Sequence, residues 1–213
     1  APTAWKDTLQ ATQFGAPCIQ NPRMYSPGNA NTFDASVGDN ILSGHTPGSE
    51  DCLSLNIWRP ATKEKNLPVI VFIYGGSNIT GYSADPLYDG AALAKKANAV
   101  VVSANYRLGQ LGFFRHPALR DTAVDPTLTP EDQSGNFAVL DIIQALKFVQ
   151  GNIEHFGGNK ANVTLAGQSA GAINVLAVLT TPGNRAAGLF HRLAPLSGGI
   201  SVATSPGFPQ PPN

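Results

Sequence analysis

Two short stretches constrain the fold of this chain more than any other feature. Residues 68–74 read Pro-Val-Ile-Val-Phe-Ile-Tyr, and residues 99–105 read Ala-Val-Val-Val-Ser-Ala-Asn. Each has the length of a strand and is rich in β-branched residues, with hardly a polar side chain. A strand with one wet face alternates in polarity. An unbroken apolar strand is expected where both faces are covered, at the centre of a parallel sheet. Parallel neighbours need a crossover between them. Residues 90–98, with Ala91, Ala92, Leu93 and Ala94, supply a short helix in that place.

The rest of the chain extends the pattern. Residues 53–59 set Leu53, Leu55 and Ile57 against Ser54, Asn56 and Trp58, a strand that Pro60 ends. Residues 135–156 carry Leu140, Ile143, Leu146 and Val149 on one helical face, broadened by Ile142 and Ile153, until Gly157 and Gly158 stop the helix. Residues 161–166 alternate around Val163 and Leu165 as a short strand, and 192–196 read as one more. The expected architecture is an α/β layer fold with a largely parallel central sheet. Ligands of such sheets sit outside the carboxyl ends of the strands, where Tyr74 and Ser169 both fall. Residues 1–50 are loop-rich and 205–213 form a Pro-rich tail.

Ser169 stands in Gly167-Gln168-Ser169-Ala170-Gly171, a Gly-x-Ser-x-Gly match. Among 22 glycines such a match arises by chance in about one chain in eight, so its context must decide. A strand precedes it, and 170–179 follows with apolar Ile173, Leu176, Ala177 and Leu179, closed at Pro182. This is the strand–turn–helix setting in which a sharp turn lifts a nucleophilic serine clear of the backbone. Acyl transfer also needs N–H donors for the developing oxyanion. Gly75, Gly76 and Ser77 follow the apolar strand directly. The N–H groups of Gly76 and Ser77, with that of Ala170, are the candidate oxyanion hole.

Composition excludes several roles. Fourteen basic residues balance fourteen acidic ones and no basic stripe occurs, which argues against nucleic acid or an anionic membrane as partner. No run of 18 apolar residues is present to span a membrane. The chemistry requires neither a metal nor a cofactor. The two cysteines, Cys18 and Cys52, are open to two readings, free thiols or a bridge.

Five ordered stretches carry a family resemblance. They are Ser49-Glu-Asp-Cys-Leu-Ser-Leu-Asn-Ile-Trp58, Val71-Phe-Ile-Tyr-Gly-Gly76, Asn105-Tyr-Arg-Leu-Gly-Gln-Leu-Gly-Phe113, residues 136–159 and the Gly167–Gly171 elbow. Together they resemble the type-B carboxylesterases, the carboxylesterase and cholinesterase branch of the α/β hydrolases. The resemblance implies an α/β-hydrolase fold, incomplete in this chain, with 1–213 a single partial domain. It implies that Ser169 is the acyl-accepting nucleophile and that Gly76, Ser77 and Ala170 are the oxyanion donors. It also implies a Cys18–Cys52 disulfide and hence a secreted or periplasmic serine esterase acting on small-molecule esters. Related amide or carbamate hydrolysis, or a non-catalytic binding module, are the rival readings. Two departures stand out: Ser77 where the family has a third glycine, and Gln168 where it has Glu.

The family's acid and histidine lie far downstream of the serine, and only 44 residues follow Ser169. His45, His116, His155 and His191 read as structural or surface residues. Asp85, Asp89, Asp125, Glu131 and Asp132 precede the serine and match no triad position, and Asp141 reads as structural. The expectation is therefore a second polypeptide completing the enzyme, with the tail at 205–213 as a cleaved loop. Asn78-Ile-Thr80 and Asn162-Val-Thr164 are sequons that read as ordinary family positions rather than glycan sites. Tyr82, Tyr88 and Phe113 are candidates either for lining the approach to the serine or for packing.

Overall fold

The computed structural model describes Asp7 and residues 9–21, 46–123 and 125–199. His45 and the tail at 205–213 lie outside these. The parallel sheet expected from the apolar runs is present. Strands β1 (Leu55–Trp58), β2 (Leu67–Ile73), β3 (Val100–Ala104), β4 (Gly158–Gln168) and β5 (Arg192–Leu196) lie in the spatial order β1-β3-β2-β4-β5. β1 runs antiparallel to β3, and every other pairing is parallel. Helix α1 (Ala91–Ala97) makes the crossover from β2 to β3, and α3 (Phe137–Asn152) the crossover from β3 to β4. Between them α2 (Gly109–Gly112) is a single turn after β3. Helix α4 (Ala170–Leu179) starts on the residue after Ser169.

One face of the sheet is fully covered along its three inner strands, β3, β2 and β4. Val69, Val71 and Ile73 of β2, Val100, Val102 and Ala104 of β3, and Val163 and Leu165 of β4 form one cluster. Ile142, Leu146 and Val149 of α3 and Val175 and Val178 of α4 complete it. Burying each such side chain favours folding by about 1.5–3 kcal/mol. The second face is less covered, which corrects one expectation. β3 is buried at all five positions, but β2 alternates, with Ile70 and Phe72 only half-buried. α1 shields Val101 and Trp58 at its glycine start, Gly90, whereas the β2 positions beside them have only a partial cover. Apolarity along β2 therefore reports its central place in the sheet, not complete burial.

The disulfide that the resemblance implies is formed. Cys18 and Cys52, 34 residues apart, are both buried. Closing a loop of this length constrains the unfolded chain by about 4 kcal/mol on the chain-entropy model. The bridge fixes the N-terminal segment beside the sheet, and that segment reaches the site through Gln20.

Candidate active site

Ser169 sits between the last residue of β4 and the first of α4 with φ 55° and ψ −124°, a conformation that L-residues seldom adopt. The turn is held by close packing of backbone. A Cβ on Gly171 would lie 2.2 Å from the carbonyl oxygen of Ile73, and one on Gly167 would lie 2.4 Å from that of Gly171. Only glycine lets β4, α4 and the end of β2 approach so closely. The Ser169 N–H donates to the Leu196 carbonyl at 2.8 Å, so β5 helps to fix the turn.

The loop after β2 runs alongside. A Cβ on Gly75 would meet the Gln168 carbonyl oxygen at 2.6 Å and the Ser169 Cβ at 3.0 Å, so this backbone lies directly against the serine. The next three residues all have positive φ: Gly76 at 120°, Ser77 at 54° and Asn78 at 60°. The Gly76 carbonyl accepts from the N–H groups of Ile79 and Thr80, at 3.0 and 3.2 Å, which curls the loop back on itself. The N–H groups of Gly76 and Ser77 have no acceptor among the described residues. Ala170, as the first residue of α4, has no acceptor within its helix, and the helix terminus adds partial positive charge. The structure thus brings together the four residues that the sequence singled out, Gly76, Ser77, Ser169 and Ala170.

Sequence reasoning missed the side chains that hold this loop. Gln20 is 5 % exposed and all its polar atoms are used. Its Oε1 accepts from the Thr80 hydroxyl and the Gly81 N–H, both at 2.8 Å. Its Nε2 donates to the carbonyls of Gly81 and Cys18, at 2.8 and 3.0 Å. Asn78 and Asn174 exchange side-chain amide hydrogen bonds, at 2.8 and 3.3 Å. Tyr106 stacks on Tyr74 at 4.5 Å between ring centroids, and its hydroxyl donates to the Tyr74 carbonyl at 2.8 Å. Burial drives the Tyr74 phenol strongly upward from its ordinary pKa, so it stays protonated. These partners lie far apart in the chain, so no contiguous motif announces their pairing.

Asp141 has the structural place expected of it. Both its oxygens accept from the Arg107 guanidinium, at 2.7 and 2.8 Å, and one also accepts the Arg107 N–H at 3.0 Å. The pairing raises the Arg107 pKa and ties α3 to the segment after β3. The histidines are placed elsewhere. Nδ1 of His116 accepts from the Ala118 N–H and Nδ1 of His191 from the Val163 N–H. His155 lies before β4, at the opposite end of that strand from Ser169; β4 is irregular between Gly158 and Val163 and runs alongside β2 from Leu67 to Ile73, a span of about 20 Å. The aromatic candidates prove to be packing groups. Tyr82 is buried with its hydroxyl on the Gly15 carbonyl, Tyr88 packs on Phe72 and Tyr74, and Phe113 rests against the core. Of the sequon residues, Asn78 is taken up by Asn174, and Asn162 accepts from Arg192. Among the described residues no helix is long and apolar enough to cross a membrane.

A largely parallel sheet in which β4, beside the central strand β2, delivers a strained serine to a helix start next to a glycine loop defines an α/β hydrolase. Within that class the chain belongs to the carboxylesterase family, whose model matches residues 1–207. It is 42% identical over 182 residues to the fumonisin B1 esterase of Sphingopyxis macrogoltabida, covering 85% of this chain and 30% of that one. It is 37% identical over 204 residues to the para-nitrobenzyl esterase of Bacillus subtilis (strain 168), covering 95% of this chain and 36% of the relative. A solved thermophilic para-nitrobenzyl esterase superposes with a TM-score of 0.68 at 37% identity, over 90% of this chain and 35% of the other. The chain spans about a third of the length of these relatives.

Proposed function

We propose that this chain carries the nucleophile and oxyanion hole of a serine hydrolase that cleaves carboxylic esters through an acyl-enzyme. The observation that carries the reading is the strained Ser169 turn lying against the loop that starts at Gly75. Ser169 Oγ attacks the ester carbonyl as its proton passes to a base. The oxygen, now negatively charged, is received by the N–H groups of Gly76, Ser77 and Ala170. Collapse expels the alcohol with that proton and leaves the acyl group on Oγ. Water, activated by the same base, then releases the acid. The donors are fixed before the reaction, so little reorganisation opposes charge development.

The base and its acid are assigned to protein outside the described residues, since His116 and His191 use Nδ1 on backbone and His155 is at the far end of β4. The matched relatives are about three times longer, which leaves room for both groups. The comparisons give no support to a separate second polypeptide. Intact mass measurement of the native protein decides that point, and a single species would discard the companion chain. The disulfide fits a secreted or periplasmic protein. The functional test is covalent labelling of the complete folded protein with a fluorophosphonate probe. Label is expected on Ser169 and absent from Ser169→Ala. A folded parent that takes no label would make this a binding module instead.

A further inference from the structure

The glycine loop makes an energetically poor shape, and something must hold it. Ser77 and Asn78 are consecutive non-glycine residues in the left-handed region, a conformation that persists only where the surroundings over-determine it. One clamp is α4 itself. Gly171 and Asn174 are three residues apart, one turn along the same helical face. At Gly171 the helix presses on the carbonyls of Ile73 and Tyr74, where β2 gives way to the loop. At Asn174 it meets Asn78, beyond the proposed oxyanion donors. The same helix starts at Ala170, the third proposed donor. One helical face therefore grips the loop on both sides of Gly76 and Ser77.

The Asn174 side chain is difficult to explain otherwise. It is 2 % exposed, among small and apolar neighbours on a helix that packs against the sheet. A buried amide without partners is costly, and an apolar residue would fill the space without that risk. Its reciprocal pair with Asn78 satisfies one donor and one acceptor on each side chain. The main chain adds a second tie, since the Asn78 carbonyl accepts from the Gly109 N–H at 2.6 Å. This fixes the backbone but cannot by itself set the distance from loop to helix.

We infer that Asn78 and Asn174 are a positioning pair that holds the oxyanion loop in register with the Ser169 helix, an inference that rests on the function proposed above. Neither side chain touches the reacting atoms; both act through the Gly76 and Ser77 N–H groups. Losing one donor outright costs about 100- to 1,000-fold in kcat, and a displaced donor costs less.

The test compares Asn174→Leu and the double variant Asn78→Gly/Asn174→Leu with the parent, in the complete ester-cleaving protein with a p-nitrophenyl ester as substrate; glycine keeps the positive φ of position 78 without strain. In both variants kcat is expected to fall about 10- to 100-fold, with KM within about twofold. The double variant is expected to be no slower than the single one, because the pair acts as a unit. Hydrogen exchange read on peptides gives a second, activity-free measure. The Ile79, Thr80 and Gly81 amides, bonded in the parent, are expected to exchange about tenfold faster in Asn174→Leu while β4 is unchanged. Unaltered kcat with unaltered loop exchange would overturn the pair's role. If Asn174→Leu loses protection everywhere, the double variant decides, because it leaves no side-chain amide unpaired. A folded double variant with parental kcat and loop exchange overturns the inference. A parent that cleaves no ester defeats the functional reading, and the exchange comparison then decides the pair alone.

Discussion

The elbow at Ser169 and the loop at 75–81 are both strained, and they are held in different ways. The elbow depends on missing atoms: Gly167 and Gly171 allow three backbone segments to touch, and its cap makes no side-chain hydrogen bond. The loop shares such close contacts at Gly75 and Gly81 but depends besides on added atoms, the amides of Gln20, Asn78 and Asn174 and the Thr80 hydroxyl. Strain secured by backbone contact tolerates no change. Strain secured by hydrogen bonds can be weakened by degrees. Variants in the two regions should therefore differ in kind as well as in size.

The largest effect is expected at Gly171. In Gly171→Ala the new methyl group overlaps main-chain oxygens on β2, which no rotamer change relieves. A loss of at least about 4 kcal/mol is expected, read as failure to accumulate folded protein or a collapsed thermal midpoint. A stable Gly171→Ala protein would break the comparison, since the elbow would then have slack.

Gln20→Ala is expected to be milder. It leaves the Thr80 hydroxyl and both polar groups of the Gly81 backbone without their buried partner, at about 3 kcal/mol. The shift in urea midpoint measures this. Faster exchange should be concentrated in residues 79–81 rather than in β4. Equal loosening of β4 would show that the loop and the sheet are one unit and not two separately held regions.

The same contrast explains what could be read from sequence. The elbow's pattern is contiguous: five residues, a strand before and a helix after announce it, so Ser169 and its glycines were legible, although the contacts of the turn with Ile73 and Leu196 were not. The parallel sheet was legible from the apolar runs at 68–74 and 99–105 for the same reason, although the half-cover of Ile70 and Phe72 was not. That depends on which helices reach the second face, a tertiary property. The loop ties were illegible because Gln20 lies 60 residues before Thr80, and Asn78 lies 96 before Asn174. Only two local signals pointed that way: a polar Asn174 on an otherwise apolar helix, and a non-glycine Ser77 in a positive-φ run. The Cys18–Cys52 bridge was legible through family resemblance alone.

The smallest effect separates neutral ties from charged ones. Gln20, Thr80, Asn78 and Asn174 do not titrate, so the loop's ties should be indifferent to mild acid. Residues 125–132 are held differently. The Asp125 pKa is lowered by hydrogen bonds from Thr127, that of Glu131 by Arg185 and that of Asp132 by Thr129. A carboxylate whose pKa is lower folded than unfolded contributes stability above its unfolded value, about 4 for these groups. That contribution is lost as pH falls through the lowered folded value. The Glu131–Arg185 ion pair, 2.8 Å long and half-exposed, is the tie between this segment and the turn after α4. All three carboxylates are at the surface, so the global effect is small. Between pH 7 and pH 3, corrected for the intrinsic pH dependence of exchange, protection of the Thr127, Thr129 and Gln133 amides is expected to fall. Protection of the Ile79 and Thr80 amides should stay constant over the same range. If both segments loosened together, the loop at 75–81 would depend on charge, and the distinction between its amide ties and the ionic ties elsewhere would fail.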